Sequence, residues 1–170
     1  MIILSLVSKE IMFYGSKSAL IGKSEIERAL EITLSMFPFL CDEKHSSVAI
    51  TILDPIKVRD GVCLSDAIMC ECLVNAPIKK YIEIAENKAN VCLKNGGHCN
   101  HYIQQFQPYL LESGDTKYSG GMNYDGWIVT ASGLKWNRDE LLSWVMVGVL
   151  ISIAKEKMEE VMNDGERINL

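Results

Sequence analysis

The sequence predicts an α+β protein in which helices cover the faces of an antiparallel sheet and a long helix ends the chain. Three observations predict this fold class: segments with apolar residues at helical spacing, two pairs of runs with strand-like alternation, and a long apolar pattern near the C-terminus. They follow one another as helix, two strands, one or two helices, two strands and a long helix. That order is typical of an antiparallel sheet packed against helices.

The first helix is predicted to begin at Ser24, which forms a capping-box pattern with Glu27. Apolar residues recur at helical spacing from Ile26 to Phe37. We expect Pro38 to end this helix, because a proline ring clashes with the preceding turn.

Two strands are predicted next. Both faces of the run Ser47–Leu53 are apolar or nearly so, which predicts a central strand covered on both sides. A turn at Asp60 and Gly61 then leads to Val62–Cys70, the predicted antiparallel partner of the first strand.

A second helix carries Lys88 and is predicted to begin after a cap at Asn75. The residues 94–97 combine a lysine with two glycines, which indicates the C-terminal end of this helix. A short helix is predicted within 98–107. The run 122–131 then suits a hairpin.

The last helix is predicted over Arg138–Asn163, with Asn137 and Glu140 as a second capping pattern. Its apolar part, Trp144–Ala154, has 11 residues, about half of the ~20 that a membrane-spanning helix needs. We therefore expect a buried core helix and no membrane association. The N-terminal run 1–7 is apolar but too short for a secretory signal, and we expect a strand or an ordered arm there.

Composition narrows the function classes. The 170 residues are 48% hydrophobic and carry a net charge of −5, which suits one globular domain over 1–170, with 1–23 as the N-terminal arm or strand. This charge argues against a basic surface for nucleic acids. Six cysteines lie mostly in apolar runs, where a thiol behaves as a small hydrophobe, so we expect reduced thiols and a cytoplasmic protein.

A family resemblance rests on the C-terminal third. Gly120 and Gly121 precede the predicted hairpin, the turn Thr130–Leu134 follows, and Asp139 stands at the start of the last helix. This pattern resembles the end of the haem-binding HbpS/GlcG-like family, and it is closest to a branch of small uncharacterised proteins. In that branch a tryptophan stands four residues before the helix lysine, whereas this chain has Ile84 before Lys88.

The resemblance spans about residues 24 to 155, where the strand that ends at Asp54 and the hairpin partner near Leu64 fit the same order. It implies a profilin-like fold, common oligomerisation, and in some members the binding of haem or another small ligand. Trp127, Trp136 and Trp144 near the last hairpin and helix also favour a homo-oligomer, because large aromatic side chains suit interfaces.

Lys88, Gly120 and Gly121 are the candidate ligand-binding residues. Helical spacing places Lys88 on an apolar stripe, where a lysine needs a partner. Its ammonium either reaches water or a carboxylate such as Asp54, or it faces an anionic ligand in a pocket. Successive glycines let the backbone approach a ligand, although a plain turn explains them equally well.

His98 and His101 are the candidate metal or haem ligands. A helix would place both imidazoles on one face beside Tyr102, and a single imidazole can be an axial haem ligand. A structural zinc site needs four ligands, and no C-x-x-C motif accompanies the pair, so a polar surface is the simpler interpretation.

These observations lead to three function hypotheses. The first is a non-enzymatic protein of the HbpS/GlcG-like type that binds haem or an anionic metabolite between the sheet and the helix of Lys88. The second is an oligomeric adaptor for protein partners, without a small ligand. The third is an enzyme with a cysteine or Lys88 as nucleophile, which would require a strongly depressed pKa at that group.

Overall fold

The computed structural model describes residues 8–18, 20–96 and 98–163. It confirms an α+β fold with one five-stranded antiparallel sheet, flanking helices and a long C-terminal helix. The strands are β1 (Lys9–Phe13), β2 (Val48–Leu53), β3 (Ile68–Val74), β4 (Gly121–Tyr124) and β5 (Trp127–Ser132). The helices are α1 (Lys23–Leu34), α2 (Phe37–Leu40), α3 (Pro55–Arg59), α4 (Leu64–Ala67), α5 (Lys79–Lys94), α6 (Asn100–Phe106) and α7 (Trp136–Asn163).

The strand order is β1-β3-β2-β5-β4, with every neighbouring pair antiparallel. All six residues of β2 are buried, which confirms the expected central strand covered on both sides. One face of the sheet packs on α1 and α7, while α5 lies across the other face over β2, β5 and β4. Among the described residues, no helix is both long and apolar enough to cross a bilayer.

Alternation decides which side chain lies on which face. Val48, Ile50 and Ile52 of β2 join the large apolar cluster under α1 and α7. Leu53 belongs to a smaller cluster on the α5 side, and Thr51 shares that face with it. The sheet therefore has one apolar face and one face that also buries polar groups.

Several predicted boundaries are wrong. The strand predicted over Val62–Cys70 is split: 64–67 form α4, and the strand runs over Ile68–Val74. The connection is a pair of short helices because the Asp54 side chain accepts a hydrogen bond from Ile56 N and caps α3.

The predicted helix caps are also misplaced. The first capping box joins Gly22 and Glu25, whose carboxylate accepts from Gly22 N, so Ser24 is already inside α1. Asn75 is not a cap either: it has a φ of 54°, its side chain donates to Ser46 O, and α5 begins at Lys79.

Two further predicted helix boundaries are wrong, because one helix begins earlier and the other ends earlier than predicted. Helix α7 begins at Trp136, which places Asn137 and Glu140 inside it. Helix α1 ends at Leu34, and Pro38 stands in the first turn of α2, where proline is tolerated.

The remaining elements agree more closely with prediction. The hairpin β4–β5, the short helix α6 and the end of α5 at Lys94 lie where the sequence places them. The strand or arm predicted over 1–7 lies outside the described residues. Within 1–23 the described strand is β1, at the edge of the sheet beside β3.

Candidate functional site

A cavity of about 520 Å³ lies between α5 and the turn that joins β5 to α7. Its wall combines apolar and aromatic side chains with an excess of basic groups: three lysines and one histidine against a single carboxylate. The lining includes His45, Lys80, Ile84, Lys88, Lys135 and Asp139. Pockets of this kind, mostly apolar with a few convergent polar groups, are the usual form of small-molecule sites.

Exposure divides the lining into a floor and a rim. Lys88 and Asp139 are buried and form the floor. Lys80, Lys135 and Trp136 are exposed and form the rim. Trp136 retains 57% of its surface, so it belongs to the entrance of the cavity rather than to the core.

The floor is a buried ion pair. Lys88 Nζ donates to Asp139 Oδ2 at 3.2 Å and to Ala131 O at 2.6 Å, so the lysine joins α5 to α7 and β5. The carboxylate proposed as its partner from the sequence, Asp54, instead accepts from Ile56 N and Lys17 N. Asp54 follows β2 and caps α3. Asp139 is the partner of Lys88 in its place.

Burial dominates the ionisation of this pair. It lowers the pKa of Lys88, and the opposite charge of Asp139 only partly offsets that effect. Burial likewise raises the pKa of Asp139 to about 6, against the attraction of Lys88 and hydrogen bonds from the backbone N–H groups of Gly133 and Leu134. Each charge of the pair therefore compensates for the unfavourable burial of the other.

Asp139 links the floor to the turn before α7. Its Oδ1 accepts from Leu134 N at 2.9 Å, while Oδ2 accepts from Lys88. Ser143, one turn further along α7, donates to Gly120 O and to Asp139 O. The sequence features behind the family resemblance therefore meet in one buried network, although they are far apart in the chain.

Gly120 lies beside the lysine but has a packing role. It has a φ of 118°, and a Cβ at this position would lie 2.7 Å from Lys88 Nζ. Glycine is needed here because a side chain would be strained and would displace the ion pair. The residues that line the cavity include neighbouring Ser119 but neither Gly120 nor Gly121, so ligand contact by these glycines stays a prediction.

Gly121 has a different neighbour, Asn100, whose carbonyl oxygen occupies the space that a Cβ would need. Asn100 is fully buried, donates through Nδ2 to Lys88 O and accepts from Cys92 Sγ. It fastens α6 to α5 beside the ion pair. Sequence analysis missed this residue, since a lone asparagine after a glycine turn carries no distinctive signal.

His98 and His101 take separate positions outside the cavity. His98 precedes α6 and stacks on Tyr102, with ring centroids 4.6 Å apart. His101 stacks on Trp136 at 6.2 Å, with Nδ1 3.8 Å from Glu140 Oε2. Neither imidazole lines the cavity, so their ligand role stays a prediction. Within 8–18, 20–96 and 98–163, no group of three or more His, Cys, Asp or Glu side chains is arranged to hold a metal ion.

His45 is the histidine that does line the cavity, and sequence analysis gave it no role. Its Nδ1 lies 2.8 Å from Asp42 Oδ1, and the same carboxylate lies 3.4 Å from Lys135 Nζ and 3.3 Å from Arg138 Nη1. The available signal was the D-x-x-H spacing in a short loop. Asp42 thus holds two of the basic groups at the cavity.

The buried thiols show the opposite of activation, and all six cysteines are free. Burial raises the pKa of Cys92 and of Cys70 to about 12, and that of Cys72 to about 11. A thiolate nucleophile requires a shift in the other direction.

Comparisons with known proteins place the fold. No protein-family model matches the chain, and a search of curated proteins finds no match. Among solved structures, the chain is similar to the crystal structure of Klebsiella pneumoniae protein ORFY, of the family model DUF336, with a TM-score of 0.52 and 14% identity. The match covers 83% of this chain and 97% of ORFY. At this identity the likeness shows a shared fold and leaves activity and ligand open.

Proposed function

We propose that this protein is a GlcG-like small-ligand-binding protein that holds an organic anion in the cavity between α5 and α7. The shared fold with a DUF336 protein supports the superfamily expected from the C-terminal pattern. The observation that carries the proposal is the charge of the lining. Four basic side chains line the cavity against a single carboxylate, in a protein whose net charge is −5.

The two parts of the cavity have different tasks in this proposal. The floor carries no net excess of charge, because Lys88 is paired with Asp139. The excess comes from Lys80, Lys135 and His45, of which Lys80 forms no ion pair with the described residues. An anionic group therefore binds at the rim, and an apolar body extends past Ile84.

Haem is the narrower candidate that the resemblance implies, but its predicted ligands do not line this cavity. His98 and His101 lie outside the cavity and stack on separate rings. The proposal is therefore limited to an organic anion, with no haem-dependent step. A localisation in the cytoplasm belongs to the same proposal and rests on the free thiols.

The contacts also favour binding over nucleophilic catalysis. Lys88 Nζ is already engaged by two acceptors and is buried. The buried thiols have raised pKa values. Neither group is presented to the cavity as a free nucleophile.

The proposal is tested with 8-anilinonaphthalene-1-sulfonate (ANS), an aromatic anion that fluoresces in apolar sites. We expect saturable binding that Lys80→Gln weakens severalfold and that Ile84→Trp abolishes by filling the cavity. Lys155→Gln and Ile32→Trp are matched controls at exposed positions elsewhere and should bind as the unaltered protein does. Equal binding by all five proteins would place the dye outside the cavity and refute the proposal.

A second candidate is the adaptor, and a specific surface favours it. Tyr102, Phe106 and Tyr109 are 38%, 65% and 76% exposed along α6 and the 3₁₀ turn that follows it. Exposed aromatic groups of this kind suit a contact with another subunit or protein. Sedimentation velocity tests this role: Phe106→Ser should lower the mass of the assembly, and a monomeric unaltered protein would refute self-association.

A further inference from the structure

The loop between α2 and β2 holds His45 in a fixed place. Asp42 and His45 exchange two backbone hydrogen bonds of 3.1 Å, which closes a tight turn. Asp42 Oδ1 then accepts from Lys44 N and His45 N, at 3.1 and 3.0 Å. One carboxylate thus fixes both the backbone and the ring of His45.

The same carboxylate determines which ring nitrogen is free. The hydrogen bond from His45 holds the pKa of Asp42 well below its usual range, so Asp42 is ionised and can only accept. His45 Nδ1 must therefore carry a proton and donate. Nε2 is the remaining nitrogen of a ring that lines the cavity, and among the described residues no side chain forms a hydrogen bond to it.

Charged groups face His45 from each neighbouring element. Asp42 is on the loop of His45 itself. Lys135 directly precedes α7 and Arg138 is in its first turn, and both bind the same carboxylate. Arg138 also donates to Leu40 O, which fastens the loop to α7. Lys80 of α5 lines the same cavity, and so does the ion pair of Lys88 on α5 and Asp139 on α7. The Asp42 carboxylate therefore contacts three basic side chains, so this part of the rim keeps an excess of positive charge.

We propose that His45 is a ligand-contacting residue of the cavity, that Asp42 is its positioning residue, and that the ligand is an aromatic or flat apolar molecule with an oxyanion. This inference rests on the proposed function and adds the position of the anion. The oxyanion accepts from Nε2 of the protonated His45 ring and lies near Lys135. The apolar body points toward Leu134 and Ile84, which line the cavity.

The inference predicts how affinity depends on pH. A histidine ring that gains a second proton on acidification adds a charge-assisted donor at Nε2. We expect the affinity for ANS to rise about tenfold on lowering the pH from 8.5 to 5.5, since one such bond is worth roughly that factor. A sulfonate stays ionised throughout this range, so the change reports groups of the protein, which are the His45 ring and Asp139, whose pKa burial raises to about 6.

Four variants test the two roles. His45→Gln keeps an amide near Nε2 but cannot gain charge, and it should reduce the pH dependence to the part that Asp139 contributes. Asp42→Asn keeps the size of the side chain and loses its charge; it should flatten the pH profile because the ring is no longer held by a carboxylate. His98→Gln, the same change at an imidazole outside the cavity, should keep the full profile. Lys80→Gln should weaken binding but keep the pH dependence.

Two outcomes separate this inference from the proposed function. If ANS binds, Lys80→Gln weakens it and His45→Gln keeps the pH profile, the cavity stands and the role of His45 is overturned. If the unaltered protein binds no ANS, both are overturned. Should a variant fold poorly, NMR of histidine-labelled unaltered protein decides: ANS should shift the His45 Nε2 resonance and leave His98 unchanged, and the reverse would refute the inference.

Discussion

The two faces of the sheet are built differently. Under α1 and α7, the inward side chains of β2 and β5 form a continuous apolar cluster, and Thr33 is the buried polar group of α1 within it. Under α5, the buried set includes Thr130, Lys88 and Asn100, which form hydrogen bonds. The first face stabilises the fold mainly by apolar burial, while the second depends on matched polar partners and borders the cavity.

This difference predicts where single substitutions have the largest effect. A buried polar group is costly when its partner is removed, whereas an apolar cluster tolerates changes that conserve shape.

Lys88→Ala should give the largest loss, about 3–5 kcal/mol in the free energy of unfolding, because Asp139 would remain buried without its partner. The double variant Lys88→Met with Asp139→Asn should recover most of this loss, since asparagine still accepts from Leu134 N. Denaturation by urea measures both. Lys79→Ala, at an exposed i,i+4 pair of the same helix, should change stability by about 0.5 kcal/mol or less.

A loss from Lys88→Ala as small as that of Lys79→Ala would show that the buried pair contributes no more than a surface contact. It would also remove the contrast between the two faces.

Gly121→Ala should destabilise the protein by about 1–3 kcal/mol, because the added methyl group overlaps with the Asn100 side chain. The same change at Gly148 in α7 should have the opposite sign. A Cβ there meets nothing within 4 Å, and alanine favours helices by up to about 1 kcal/mol. Thermal unfolding of both variants is the measurement, and a stabilising Gly121→Ala would contradict the close packing of α6.

Thr130→Val and Thr33→Val form a matched pair on the two faces. Thr130 Oγ1 donates to Ala85 O at 2.7 Å, so its loss should cost about 1 kcal/mol. Thr33 Oγ1 donates to Met146 Sδ at 3.2 Å, and the loss should be smaller because a thioether is a weak acceptor. Urea denaturation of both variants provides the test, and an equal or larger loss at Thr33 would reverse the comparison.

The apolar face is the part that sequence analysis predicted best. Alternation in 48–53 and helical spacing in 26–34 are local signals, and both give the correct elements. Helix ends were harder to predict, because each depends on which nearby backbone N–H group a single side chain accepts a hydrogen bond from. Asp54 illustrates this: its carboxylate caps α3, which turned the expected hairpin into two short helices.

The candidate site was predicted in part. The resemblance brought Lys88, the glycine pair and Asp139 into view, and the structure joins Lys88, Gly120 and Asp139 in one network. Nothing in the sequence showed that Lys88 would pair with Asp139 rather than with Asp54, because Lys88 and Asp139 lie 51 residues apart. His45 lies in a loop, where spacing carries no information about the walls of a cavity.

The contact between Gly121 and Asn100 has a consequence for how this chain can diverge. The Asn100 side chain fills the space beside Gly121, although the two residues are 21 positions apart in the sequence and belong to α6 and β4. A larger residue at 121 therefore requires a smaller one at 100, and the two sites should covary among descendants of this protein. Residues at the rim of the cavity can be substituted one at a time, whereas substitutions at positions 100 and 121 have to occur together.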